Sequence, residues 1–332
     1  MNKFSYVFVP VQYPPASKYE LMDKIFLYPV WAKDESEWIK IDSFLGRRTN
    51  IAIALCTEES APSKKLYSLV SDFVLFQSFI IPDPIPYEWF EKIYSPRAIC
   101  LKESKSKNEF IKSLDSGQPK HWLDFYLNYD EFPPILKIRK FKISYANIFK
   151  KFLKAKTEKM KIYNYIRMYE FANNLKWVNL LYPNEALSFA TLYTIFDSLV
   201  GSPLWCDTTL ECGSCGRTVN HTKESLAKYQ NRKLADILKP LYTQELIEQW
   251  QEFVKKMNRM RSRAYHQAGF INFLEEWLAE TRRRPIKQHT EERWSLNRVI
   301  KEFETSFTAK QLAFSHFKDL IRLILIINLL HL

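Results

Sequence analysis

Thr243-Gln-Glu-Leu-Ile-Glu-Gln-Trp-Gln-Glu-Phe-Val-Lys-Lys-Met-Asn-Arg-Met-Arg-Ser-Arg-Ala-Tyr-His-Gln-Ala-Gly269 has the pattern of one long amphipathic helix. Leu246, Trp250, Phe253, Met257, Met260 and Ala264 recur at steps of four and three, which puts them on one helical face as a buried seam. Thr243 is an N-cap candidate, Glu245 suits the positive end of the helix dipole, and Gly269 supplies the stop. The last two turns carry Arg259, Arg261, Arg263 and His266. Arginine holds phosphate with a planar fork of donors, and histidine moves protons near neutral pH. In a basic chain this pairing points to phosphodiester chemistry. The competing reading is a solvated basic helix end whose cations complement the dipole. With the seam as zero and about 100° per residue, Arg261 projects near about 60°, and His266 and Arg259 near roughly 200° and roughly 220°. Arg261 and His266 therefore converge only if the helix deforms before Gly269 or if two copies meet across a dimer.

The remaining composition narrows the partners. The chain has 332 residues, 46% of them hydrophobic, with only 6 glycines, which suits two globular domains. Its net charge of +12 favours polyanionic partners, nucleic acid before a membrane surface. Five cysteines, an odd number, fit a reducing compartment better than a disulfide framework. Met1–Pro10 lacks the apolar stretch and cleavage site of a signal peptide. Leu320–Leu332 is apolar but short, and Arg322, Asn328 and His331 interrupt it, so a buried last helix is expected instead of a membrane span. A cytoplasmic protein without membrane contact is the expectation.

The fold class expected is α+β. Residues 1–148 form a β-rich α+β recognition or regulatory domain in this reading, with a ligand or protein trigger that the residues do not identify. Phe4–Val11, Ile51–Cys56, Ala98–Leu101 and the alternating Ile135–Ser144 read as strands. Leu66–Ile81 reads as a helix stopped by Pro82, Pro84 and Pro86, and Asn108–Leu114 as a shorter one. Cys56 and Cys100 lie in apolar runs and read as core. The tract Lys150–Lys161 has six lysines against one glutamate and marks the boundary. It is a solvated helix face in the plain reading and a nucleic-acid-facing surface in the other.

Residues 155–332 read as an all-α bundle. Asn184–Val200 is apolar nearly all round, with Asn184 as an N-cap candidate and Gly201 as the stop. Asp197 is the charge in its interior. A buried carboxylate needs a partner; the alternative places Asp197 at an exposed end. Trp294–Leu332 gives one or two more helices. Between them, at about 204–223, Cys206, Cys212, Cys215 and His221 have the spacing Cys-x5-Cys-x2-Cys-x5-His. Glycines beside Cys212 and Cys215 let two thiolates turn toward one ion, so this insertion is expected to hold a structural Zn2+ as a zinc knuckle. The bland reading is a loop of unliganded cysteines and a surface histidine.

Arg261-Ser-Arg-Ala-Tyr-His266, at the end of an amphipathic helix in a helical domain, resembles the RX4-6H signature of HEPN-domain ribonucleases, the Apea-like branch in particular. Asp197-Ser-Leu199 is similar to that family's earlier helix with an acidic residue before leucine. The resemblance covers about residues 158–332. It implies an endoribonuclease that needs no catalytic metal: the 2′-OH attacks the adjacent phosphorus of single-stranded RNA and leaves a 2′,3′-cyclic phosphate. His266 would be general acid or base, Arg261 would hold the phosphate, Ser262 would orient either, and Asp197 would support the site. Arg259 and Arg263 would contact RNA, and Arg282, Arg283 and Arg284 would either grip it too or belong to an exposed loop. The resemblance also implies a homodimer with one composite site, in a prokaryotic antiphage defence or toxin-like setting. Ser262 and Gln267 depart from the family pattern, and they keep open a non-catalytic RNA-binding or sensor protein that uses the fold as a dimerisation scaffold. A protein-binding adaptor is the third reading.

Overall fold

The computed structural model describes residues 2–10, 18–23, 25–30, 52–57, 63–80, 99–114, 144–174, 184–201, 205–211, 214–222, 224–266, 295–303 and 305–331. The fold is α+β, mostly helical with a small antiparallel sheet. It divides into one unit of Met1–Glu170 with Asn328–Leu332, and a second of Phe171–Ile327.

In the first unit, β1 (Asn2–Pro10), β2 (Tyr19–Met22), β3 (Ile25–Val30), β4 (Ala52–Thr57) and β5 (Ile99–Ser104) form one sheet in the order β2-β3-β4-β1-β5. Every pairing is antiparallel. Cys56 on β4 and Cys100 on β5 both lie opposite Tyr6 of β1. They are two strand spacings apart, roughly 10 Å, beyond the Cα separation of a disulfide. The hairpin β2–β3 was not expected: Pro29 weakens a strand reading of its run. The expected strand at Ile135–Ser144 lies outside the described residues except for Ser144.

Helices α1 (Ser63–Ile80), α2 (Lys107–Leu114) and α3 (Tyr145–Glu158) complete this unit, together with most of α4 (Met160–Asn174). Ser144 caps α3 by accepting from the amide of Asn147. Tyr145, Ile148, Phe149, Phe152 and Ala155 then fall at helical spacing and are buried. Phe76 of α1 packs at ring distances of 5.0 Å on Tyr145, 5.1 Å on Phe149 and 5.4 Å on Phe152. These rings carry most of the apolar area that joins the two helices.

The lysine tract belongs largely to α3, whose other face packs in this core. Lys156 turns inward to Asp72, which is buried, at 2.7 Å, and the hydroxyl of Tyr163 donates to the same carboxylate at 2.9 Å. Lys151 donates to the carbonyl of Leu330. Lys150, Lys154, Lys159 and Lys161 stay exposed. The solvated-face reading therefore holds for these four, while Lys151 and Lys156 are structural.

The second unit begins in α4 and continues through α5 (Asn184–Val200), the hairpin β6 (Trp205–Glu211) and β7 (Thr218–Thr222), α6 (Leu226–Leu238), α7 (Gln244–His266), α8 (Leu296–Glu302) and most of α9 (Phe307–Leu330). Asn184 is the first residue of α5 and not its cap. Gly201, at φ 88, follows its last turn, a conformation that L side chains rarely adopt. Helix α6 was not foreseen. Its core is aromatic: Phe317 of α9 meets Phe189, Tyr193 and Phe196 of α5 at 5.7, 5.9 and 5.7 Å. Helix α7 packs against α6 and α8, and α5 against α6. Among the described residues no helix is long and apolar enough to cross a membrane.

Lys156→Ala strands the buried Asp72 carboxylate. It is expected to lower stability by about 2 kcal/mol, against less than about 0.5 kcal/mol for Lys154→Ala, which removes only an exposed pair with Glu158. Urea unfolding of the two variants side by side decides it; equal midpoints would refute the inward role of Lys156.

Candidate functional site

Helix α7 places the site. Its buried side chains are Ile247, Trp250, Phe253, Val254 and Met257. This differs from the expected seam: Leu246 and Met260 are only half-buried, and the side chain of Ala264 lies outside the described residues. Ile247 and Val254 replace them because α6 and α8 both cover α7 and so widen the buried arc. At about 100° per residue, the middle of that arc lies within roughly 20° of the direction of Arg261. Arg261 is the next residue after Ile247 and Val254 in a step of seven. It emerges where the apolar arc runs out and reaches Asp197 of α5 while part of its side chain stays exposed.

Asp197 of α5 meets it there. Nη2 of Arg261 lies 3.3 Å from Oδ2 of Asp197, with 36% and 26% of the two side chains exposed. The guanidinium carbon also stands 4.6 Å from the centre of the Tyr193 ring, one turn earlier on α5. Tyr193 is 2% exposed and is held from below by Phe317. Arg261 is thus fixed by a charge and by a flat aromatic face together, a contact that desolvation strengthens.

Two residues the sequence reading did not single out complete the cluster. Gln230 of α6, fully buried, donates Nε2–H to Oδ1 of Asp197 at 2.5 Å. Asn258 of α7 donates Nδ2–H to Oε1 of Gln230 at 3.1 Å. A signal for Gln230 does exist in the sequence. Leu226, Gln230, Leu234 and Leu238 stand four apart, so one amide interrupts an apolar stripe. Asn258 lies on the edge of the α7 arc and carries no such mark.

The surroundings tune both ionisable groups of α5. Burial raises the pKa of Asp197 above its ordinary value, while the Arg261 charge and the Gln230 hydrogen bond pull it down. Burial, and then the Asp197 charge, hold the Tyr193 phenol well above its usual range, opposed by Arg261 and Gln230. The phenol stays neutral and serves as a platform. The cluster can therefore fix a guanidinium beside a carboxylate of raised proton affinity, an arrangement suited to gripping an oxyanion.

The other expected site residues fare differently. Arg259 is exposed on α7. Ser262, Arg263 and His266 are within the helical backbone of α7, and their side chains lie outside the described residues. So do Arg282, Arg283 and Arg284 entirely. On an ideal helix His266 still projects about 140° from Arg261.

The expected zinc insertion is an antiparallel hairpin. Trp205 pairs with Thr222, so Cys206 and His221 adjoin that pair at its open end. Cys215 is exposed in its turn, and Cys212 lies outside the described residues. The three steps from Thr218 to His221 span roughly 10 Å of extended chain. Among the described residues no group of three His, Cys, Asp or Glu side chains is gathered for a metal.

No protein-family model, curated protein or solved structure matches the chain.

Because burial raises the pKa of Asp197 in the folded protein above its ordinary value, the stability it contributes falls as pH rises from the ordinary carboxylate range through the raised folded value. Asp197→Asn is expected to flatten that part of the stability–pH curve and to cost no more than about 1 kcal/mol at neutral pH. Thermal unfolding across pH measures it; an unchanged slope would refute the assignment.

Proposed function

We propose that the second unit is a metal-independent endoribonuclease of the HEPN type acting on single-stranded RNA. One observation supports this most: the arginine of the Arg261–His266 motif meets Asp197, the acidic residue of the earlier helix. The two parts of the resemblance, separated by more than sixty residues of sequence, fall in one cluster. In this reading Arg261 binds the scissile phosphate and stabilises the charge that develops as the 2′-oxygen attacks phosphorus. The 2′-hydroxyl proton passes to a base, the bond to the 5′-oxygen breaks, and that oxygen takes up a proton. His266 serves in one of these transfers, Ser262 orients it, and Arg259, Arg263 and Arg282–Arg284 hold the strand.

An ideal helix separates Arg261 from His266, so the composite site is completed by a second copy in a homodimer. The cellular setting we infer is cytoplasmic antiphage defence or a toxin-like effector, with a trigger bound by the first unit. The Arg261–Asp197 pair also supports a second reading. A guanidinium tied to a carboxylate is a structural clasp, and the unit would then be an RNA-binding or sensor scaffold without catalysis. We further propose a structural Zn2+ at Cys206, Cys212, Cys215 and His221.

Incubation with single-stranded RNA and analysis of the ends separates the readings. The wild type should leave 2′,3′-cyclic phosphate and 5′-OH termini in the presence of EDTA, and His266→Ala should cleave at least about 100-fold more slowly. Cleavage at equal rates by both would sink the enzyme reading. RNA binding that weakens with salt while no cleavage occurs would favour the scaffold. Metal analysis of purified protein should find about one zinc per chain, lost in Cys212→Ser; no zinc in the wild type would remove the metal proposal.

A further inference from the structure

The carboxylate of Asp197 is acceptor-only when ionised, and this decides the direction of every hydrogen bond behind it. Gln230 must turn its amide N–H toward Asp197, so its carbonyl must face the other way, toward Asn258. Asn258 must then donate, and it does so at 3.1 Å. The chain of contacts runs from α7 through α6 to α5 and back to α7 at Arg261. Asn258 and Arg261 stand three residues apart on α7 and hold the two ends of the loop. The four members come from three helices, and Gln230, at the centre, has no exposed surface. A fully buried amide is retained at an apolar-stripe position at a cost in desolvation, so its orientation has a purpose that leucine would not serve.

We propose that Gln230 and Asn258 are positioning residues that fix the roll of the Asp197 carboxylate and, through it, seat the Arg261 guanidinium over the Tyr193 ring. The seating of Arg261 stands on the geometry alone; its consequence for catalysis rests on the ribonuclease reading. Oδ1 of Asp197 is taken by Gln230, which leaves Oδ2 to meet Nη2 of Arg261 edge-on. Without Gln230 the carboxylate can rotate about its last bond, and the guanidinium loses its fixed register on the ring. Asn258 acts one step further back. Were it an acceptor, the Gln230 amide would reverse, its carbonyl would face Asp197, and two acceptors would repel.

Two substitutions test this in the full-length protein. Gln230→Leu keeps volume and removes both hydrogen bonds. Asn258→Asp keeps shape and reverses polarity. The first readout is independent of RNA: the rate at which phenylglyoxal modifies Arg261, followed by peptide mass spectrometry, with exposed Arg259 as the internal reference. Both variants should raise the Arg261 rate about tenfold relative to Arg259. The second readout is steady-state cleavage, in which kcat should fall about tenfold while KM stays within about twofold. An unchanged Arg261 rate in both variants overturns the proposal. A raised rate with no cleavage by any protein, wild type included, keeps the positioning role and removes the ribonuclease reading. If Gln230→Leu does not fold, as judged by circular dichroism, Asn258→Asp at its half-buried position carries the test alone.

Discussion

A carboxylate taken partly out of water must be met by donors, and Asp197 shows how far that requirement reaches. Burial makes its charge costly, so three helices each contribute to its surroundings: Gln230 from α6, Arg261 from α7, and the Tyr193 platform from α5 itself. None of these contacts is strong alone. Together they define where the guanidinium sits to within the geometry of one hydrogen bond and one ring face. The same constraint accounts for Asn258, whose only role in the cluster is to make Gln230 point the right way.

That polar cluster is rigid because its floor is apolar. Tyr193 has Phe317 beneath it, and Phe317 also meets Phe189 and Phe196. The aromatic core of the unit therefore ends in a ring whose outer face carries a cation. The first unit solves a similar problem by similar means. Asp72 is buried among phenylalanines of α1, and Lys156 and Tyr163 reach it. Of six lysines in one tract, the one that turns inward is the one a buried carboxylate calls for. Lys151 donates to the carbonyl of Leu330, and Lys150, Lys154, Lys159 and Lys161 remain a cationic surface.

Helical periodicity was the most legible feature. The helix expected over Thr243–Gln267 is Gln244–His266, and the one over Asn184–Val200 ends where Gly201 adopts positive φ. Strands were legible in the β-branched and aromatic run of β1 and in the short apolar run of β4. The β2–β3 hairpin was hidden by Pro29, and α6 by a polar composition whose apolar stripe is only one residue wide. The lysine tract was legible as a helix face, but that its other face packs on Phe73 and Phe76 was not.

The sequence by itself determined the α+β class, the extents of two long helices, α5 and α7, and the presence of an arginine–histidine motif at the end of one of them. Periodicity and capping are local, so they survive without knowledge of neighbours. Only the tertiary structure decided that Arg261 faces inward, that Asp197 is its counter-ion, and that Gln230 and Asn258 stand behind it. The buried arc of α7 is set by which helices cover it, and α6 and α8 shifted it toward Ile247 and Val254. That rotation brought Arg261 to α5. It depends on contacts between residues far apart in the chain, and no pattern within α7 records it.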